Sequence, residues 1–219
     1  MRSPFTPPFG RLPGTIPIFP LPNAVVMPGA QLPLNIFEPR YLNMIFDSLG
    51  ESRLIGMVQP RPDDDSAAEP DVYQTGTAGL ITSYSETTDG RLLIVLTGVC
   101  RFDIEGEMPT TRGYRRVVAD WSRFELDYDA APETGGDRQR FMSLLKAYFN
   151  REQLEVDWSV LEGLAPHVLH NLLIGQLPFG VAERQTLIDT VAADDRARLL
   201  AGLIDQAISG GLGQTAKPH

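Results

Sequence analysis

The stretch Gln31-Leu32-Pro33-Leu34-Asn35-Ile36-Phe37-Glu38-Pro39-Arg40-Tyr41-Leu42 carries the reading of this chain. Residues 31–37 read as a short extended piece. Pro39 suits a first helical position, where its missing N–H costs nothing. Tyr41, Leu42, Ile45, Phe46 and Leu49 then recur at helical spacing, and Gly50 is a natural stop. The stretch therefore predicts a strand that turns a corner at Glu38-Pro39 and runs straight into a helix.

Upstream, ten of the 18 prolines fall within residues 1–39. Proline fixes φ and removes a donor, so this part cannot be a long helix. It reads as extended pieces at Ile16–Phe19 and Ala24–Met27. Downstream, Arg53–Gln59 is an apolar strand, and residues 60–71 are a polar, acidic loop. Gly76–Ser85 and Arg91–Thr97 flank Thr87-Thr88-Asp89-Gly90, a hairpin turn signal. The unbroken run Leu92–Leu96 predicts burial on both faces. Arg101–Glu107 alternates, with Phe102 and Ile104 inward and Asp103 and Glu105 outward. Tyr114–Phe124 is a further strand.

After Leu126 the pattern changes. Residues 127–136 read as an acidic linker, and from Arg138 the period is helical. One stripe runs Phe141, Met142, Leu144, Leu145, Tyr148, Phe149. Another begins at Trp158 with Asp157 as N-cap. Pro166 opens a helix, Pro178 ends it, and Asp194 is placed to cap the last one. Strands first and helices second predict an α+β chain, with a β domain over 14–126, a helical bundle over 137–209, and flexible termini at 1–13 and 210–219.

Composition bounds the function. With 28 acidic against 19 basic residues the net charge is −9. That disfavours phosphate-backbone binding and adsorption to anionic membranes. The densest basic cluster is Arg112, Arg115 and Arg116. No stretch approaches the ~18 consecutive apolar residues of a membrane span. One cysteine, Cys100, permits no intrachain disulfide and fits a cytoplasmic setting.

Only Lys146 and Lys217 are lysines. Neither sits in a Gly-Lys-Ser/Thr loop, which excludes a Walker A site. Ser143 and Lys146 match S-x-x-K, without the companion elements of that hydrolase class. His167 and His170 share a helix face but lack a further ligand nearby. Residues 211–216 match G-x-G-x-x-A by letters alone. Cys100 beside Arg101 reads as a small strand residue before it reads as a nucleophile. No cofactor and no metal is expected.

Ile16-Pro17-Ile18-Phe19-Pro20-Leu21, Val25-Val26-Met27-Pro28-Gly29 and Leu32 to Tyr41 together resemble the start of the Lon N-terminal, substrate-binding domain. Gly76-Thr77-Ala78-Gly79, Gly98, Arg101-Phe102, residues Tyr114 to Trp121, and Leu177-Pro178-Phe179 with Glu183, Gln185 and Leu187 continue the likeness in order, over roughly residues 14–208. The resemblance implies a PUA-like pseudo-β-barrel with one inserted helix, followed by a helical bundle. It implies a stand-alone recognition domain without the ATPase and protease modules. Its expected role is non-enzymatic binding of unfolded or partner protein segments, linked to protein quality control. The alternatives are an RNA-binding PUA-like protein or a regulator of a separate protease. The expected partner-binding residues are Phe37, Glu38, Arg40 and Tyr41, because Tyr and Arg join contact area to fixed donors. Their other reading is a corner clamp for Glu38 and Arg40, and core packing for Phe37 and Tyr41.

Overall fold

The computed structural model describes residues 5–61, 70–128 and 138–210. Most of the 60–71 loop, residues 129–137 of the acidic stretch, and the tail 211–219 with Lys217, His219 and the 211–216 pattern lie outside the described residues. So do residues 1–4. The chain divides into two compact units: Met1–Ala130 with Asn171–Asp189, and Ala131–His170 with Thr190–His219.

The first unit is built on six strands: β1 Thr15–Pro20, β2 Gln31–Ile36, β3 Leu54–Val58, β4 Thr75–Glu86, β5 Leu92–Met108 and β6 Arg115–Asp120. Helix α1, Pro39–Gly50, lies between β2 and β3 in the chain. The sheet order is β2-β5-β4-β3-β1-β6. The far half of β5 also pairs with β6, so the path of pairings returns to β5. This ring of five strands, with β2 added outside it, is the arrangement the pseudo-barrel expectation describes. Strand β5 serves both places because it is 17 residues long and bends at register shifts against β4 and β6.

Gly98 marks one such bend. A Cβ there would lie 2.1 Å from the Met27 carbonyl oxygen. Gly29 N donates to Gly98 O, and Gly98 N donates to Ala30 O, both at 2.9 Å. The segment Ala24–Met27, expected as an extended piece, joins no strand of the sheet; it runs on into Met27-Pro28-Gly29, which lies against β5 at Gly98. Val25, Val26 and Met27 are buried there all the same, which accounts for their apolar character. Gly56 and Gly76 make room for one ring. Cβ atoms on them would lie 2.6 and 2.9 Å from Phe102 Cζ.

The main core joins Phe19 of β1, Tyr41, Met44 and Ile45 of α1, Ile55 and Met57 of β3, and Leu92, Ile94 and Leu96 of β5. Each fully buried aliphatic side chain contributes about 1.5–3 kcal/mol. The expectation that 92–96 is buried on both faces is corrected: Leu93 is 47% exposed, because only one side of β5 meets this core. On α1, Phe46 is exposed while Met44 and Ser48 are buried, so the helix is rotated from the expected stripe. Beyond β6, the expected strand to Phe124 ends at Asp120 and gives way to a 3₁₀ turn, Ser122–Asp127.

Residues 171–189, expected inside the helical bundle, group with the sheet. They comprise the end of helix α4, Pro166–Gln176, and helix α5, Val181–Asp189. Leu173, Ile174, Leu177, Phe179, Leu187 and Ile188 are buried there, and a set of polar contacts accompanies them. Gln59 Nε2 donates to Gln185 Oε1 at 3.0 Å and to Val181 O at 3.1 Å, and Gln185 Nε2 donates to Thr75 O at 3.1 Å. Arg101 Nη1 donates to Ile188 O at 2.9 Å. Arg184 binds Asn23 O and Oδ1, and Asn171 Nδ2 donates to Pro28 O. Glu183, in the first turn of α5, accepts from Gly180 N at 2.8 Å, half of a capping box.

In the second unit, helix α2 (Arg138–Arg151) packs along α6 (Ala193–Gly210), with the short α3 (Trp158–Gly163) following α2. Asp157 caps α3 as expected, accepting from Ser159 N at 3.0 Å. Asp194 lies inside the first turn of α6, where its charge suits the helix dipole.

Candidate functional site

The corner between β2 and α1 is built as its sequence demands. Glu38 is the extended N-cap residue, Pro39 opens the helix, and Glu38 O accepts from Tyr41 N and Leu42 N at 3.0 and 2.9 Å. The Glu38 side chain does not cap. It accepts from Arg40 Nε at 3.0 Å, and both side chains remain substantially exposed. The Arg40 guanidinium carbon lies 4.6 Å from the Tyr41 ring centroid.

The four expected residues part company here. Tyr41 is 7% exposed and packs on Phe19 at 4.1 Å between ring centroids. Burial raises its hydroxyl pKa. It belongs to the core. Phe37 is 61% exposed, and the core reading does not describe it. Beside it lies Arg91, with its guanidinium carbon 5.7 Å from the ring centroid and its Nε 2.9 Å from Asp89. Two exposed pairs thus flank the corner, Phe37 with Arg91 and Glu38 with Arg40. Arg91 comes from the hairpin after β4. It arrives because Ile36 pairs with Leu92. The hairpin was legible, but the β2–β5 register that delivers Arg91 was not.

The densest arginine cluster is matched by acids. Arg112 pairs with Asp47 at 2.7 Å, Arg115 with Glu107, and Arg116 with Glu51 at 3.0 Å. Tyr114 Oη donates to Asp47 at 2.8 Å. Hydrogen bonding to Glu51 raises the Arg116 pKa.

The candidate catalytic groups are turned to other tasks. Ser143 Oγ donates to Gln139 O at 2.9 Å within its helix, and Lys146 Nζ donates to Glu162 at 2.8 Å. Cys100 is buried with Sγ 3.5 Å from Phe124 O, while Arg101 turns its guanidinium to Asp127. Asp103, expected outward, is largely covered. It accepts from Thr75 Oγ1 at 2.6 Å and from Arg123 at 3.0 Å. Glu105 is exposed as expected. Of the two histidines, expected on the surface, His170 is mostly buried against Phe141 at 4.6 Å between rings. Burial, then Arg196, Arg138 and His167, push its pKa down to about 4. Among the described residues no group of three or more His, Cys, Asp or Glu could hold a metal ion, and no helix is long and apolar enough to cross a membrane.

The profile of the ATP-dependent protease La (LON) substrate-binding domain matches residues 15–206. The Lon protease of Parabacteroides distasonis is 33% identical over 207 residues, covering 92% of this chain and 25% of that protein. The Lon protease of Flavobacterium johnsoniae is 24% identical over 191 residues, covering 85% of this chain and 23% of that protein. The chain thus spans about a quarter of the length of these curated relatives. Among solved structures, a Lon N-terminal domain protein from Xanthomonas campestris aligns with TM-score 0.64 and 21% identity, covering 86% of this chain and 97% of that one. The N-terminal domain of the Mycobacterium avium complex Lon protease aligns with TM-score 0.63 and 16% identity, covering 87% and 98%.

Proposed function

The chain belongs to the Lon substrate-binding domain family, and on that premise we propose that it is a non-catalytic module that binds unfolded or partner protein segments through the β2–α1 corner. The observation that carries this reading is Phe37, a large aromatic 61% exposed at the strand-to-helix corner. Arg91 stands over its ring, and the exposed Glu38–Arg40 pair follows it in the chain. Aromatic and arginine side chains are the residue types that dominate binding energy at protein interfaces. Tyr41 supports the corner from beneath.

The non-catalytic reading is supported by the match, which is to the substrate-binding domain of these proteases. It is supported too by Ser143 and Lys146, each engaged with a neighbour other than the other. A place in protein quality control is the setting that such a binding role suits, and a lone free Cys100 is compatible with a reducing cytoplasm. Competition for the substrates of a separate protease would use the same surface. The RNA-binding alternative loses support, since Arg112, Arg115 and Arg116 already face carboxylates.

The test is fluorescence anisotropy with a labelled, permanently unfolded protein, such as a reduced and carboxymethylated one. The chain is expected to bind it, and Phe37→Ser with Arg91→Ala is expected to weaken binding at least about tenfold, the loss of one or two hot-spot contacts. No binding by the unaltered chain, or equal binding by the variant, sinks the proposal.

A further inference from the structure

Residues 5–13, Phe-Thr-Pro-Pro-Phe-Gly-Arg-Leu-Pro, lie on the first unit without joining its sheet. Three of the nine are prolines. Pro8 (φ −63°, ψ 154°) and Leu12 (φ −62°, ψ 138°) are close to polyproline II geometry, on either side of one 3₁₀ turn, Phe9–Arg11. Two aromatic side chains hold the segment by its carbonyls. Tyr128 Oη donates to Pro7 O and Trp121 Nε1 donates to Pro13 O, both at 2.9 Å. The Phe9 ring meets the Tyr128 ring edge-on, 5.4 Å between centroids. Seat and guest differ in how firmly they are built. Trp121 and Tyr128 flank the 3₁₀ turn Ser122–Asp127, which is pinned by the buried Phe124 and the Arg101–Asp127 ion pair. Trp121 is itself buried against Phe102. In the guest, no residue of Phe9–Arg11 is buried, and Phe5 and Pro8 are exposed. Gly14, with open space where a Cβ would stand, links it to β1.

We infer that Trp121 and Tyr128 form a docking site for a proline-bearing extended segment of a partner protein, and that residues 5–13 occupy it in cis and can be displaced. The chemistry of the partner is read from the guest already seated. A proline lacks an N–H, so a proline-rich chain offers mainly carbonyls to a surface. An indole N–H and a phenol O–H are donors set on aromatic rings, which suit those carbonyls and the apolar rings between them. Such a segment is partly ordered before it binds, so little entropy is lost on docking. Both donors bind main-chain oxygens of the guest, so its side chains are not what they read. A segment of another protein with the same backbone shape satisfies them equally. The guest is tethered through Gly14, however, and competes at an effective concentration of about millimolar. A partner segment therefore binds weakly until the guest is loosened. The site shares no residue with the Phe37 corner.

The test is fluorescence anisotropy with a labelled peptide of the sequence of residues 5–13, added to the full chain and to its Phe9→Ser variant. Phe9→Ser loosens the guest and leaves the seat intact. It should bind the peptide at least about tenfold more tightly than the unaltered chain, because the tethered competitor is weakened. The same peptide with serine at its three proline positions should bind at least about tenfold more weakly. Tyr128→Phe, made in the Phe9→Ser chain, removes one donor and should weaken binding about fivefold. Phe37→Ser, made in the same chain, should leave it unchanged. Heteronuclear NMR gives a reading that needs no change to the seat: in the Phe9→Ser chain the indole N–H signal of Trp121 should move on titration, and that of Trp158 should not. No binding by the Phe9→Ser chain, equal binding by it and the unaltered chain, indifference to the prolines or to Tyr128→Phe, loss of binding with Phe37→Ser, or a Trp121 signal that does not move overturns the inference.

Discussion

Arg101 of β5 and Asp127, the first residue of a stretch that reads from composition as an acidic linker, form an ion pair at 2.7 Å with side chains 1% and 4% exposed. Asp127 Oδ2 also accepts from Arg101 N at 3.0 Å and Nε at 2.9 Å. The guanidinium stacks over Phe124, 4.5 Å from the ring centroid, and reaches the carbonyl of Ile188 on α5. One side chain thus ties β5, the 3₁₀ turn after β6, and α5 together.

Breaking this pair strands a buried charge. Asp127→Ala and Arg101→Ala are each expected to cost about 3–5 kcal/mol. The double replacement should cost clearly less than the sum. Urea denaturation of the two single variants and the double variant measures this coupling. Strictly additive costs would show that the pair is not a unit.

Gly98→Ala is expected to destabilise by about 1–3 kcal/mol, the range for forced overpacking. A methyl there meets the Met27 carbonyl, a backbone atom that cannot rotate away. Gly106→Ala, where a Cβ would stand in open space, is the matched control on the same strand. Thermal melts of the two variants should separate clearly.

Phe37 and Tyr41 should respond in opposite ways. Tyr41→Ala removes a core aromatic and should cost about 3–5 kcal/mol. Phe37→Ser should change stability by no more than about 0.5 kcal/mol, as surface substitutions do. Denaturant midpoints at unchanged slope decide it. A large stability loss from Phe37→Ser would reassign that residue to packing.

His170 gives the second unit a pH dependence. Its folded pKa is about 4, below the ordinary 6.5. Between those values the unfolded chain binds more protons than the folded one, so stability rises with pH. The contribution is complete above about pH 6.5 and lost as pH falls toward 4, on the order of 1–2 kcal/mol after allowing for partial solvent contact. His170→Phe should flatten this part of the profile. Melting temperatures at pH 4.5 and 7 for both chains measure it.

The element order was legible almost throughout, and Pro39, the Asp89-Gly90 turn and the Asp157 cap sit where local chemistry places them. At the candidate site, Phe37, Glu38 and Arg40 could be named, but the exchange of Tyr41 for Arg91 could not. Tyr41 and Phe37 look alike in sequence. Which one turns inward depends on the rotation of α1 over Phe19, and Arg91 arrives only through strand pairing.

By itself the sequence determined the α+β class and the strand-to-helix corner, because periodicity, proline position and glycine spacing act over a few residues at a time; the family was carried by the likeness of whole strings such as Ile36 to Tyr41. Only the tertiary structure decided that 171–189 joins the sheet and that Arg101, Gln185 and Asp127 are buried. Gln59 and Gln185 bond across 126 positions. A polar residue that finds its partner at that distance looks, in the chain, the same as one that faces water. Whether its burial is compensated depends on the partner, and the partner is supplied by the fold.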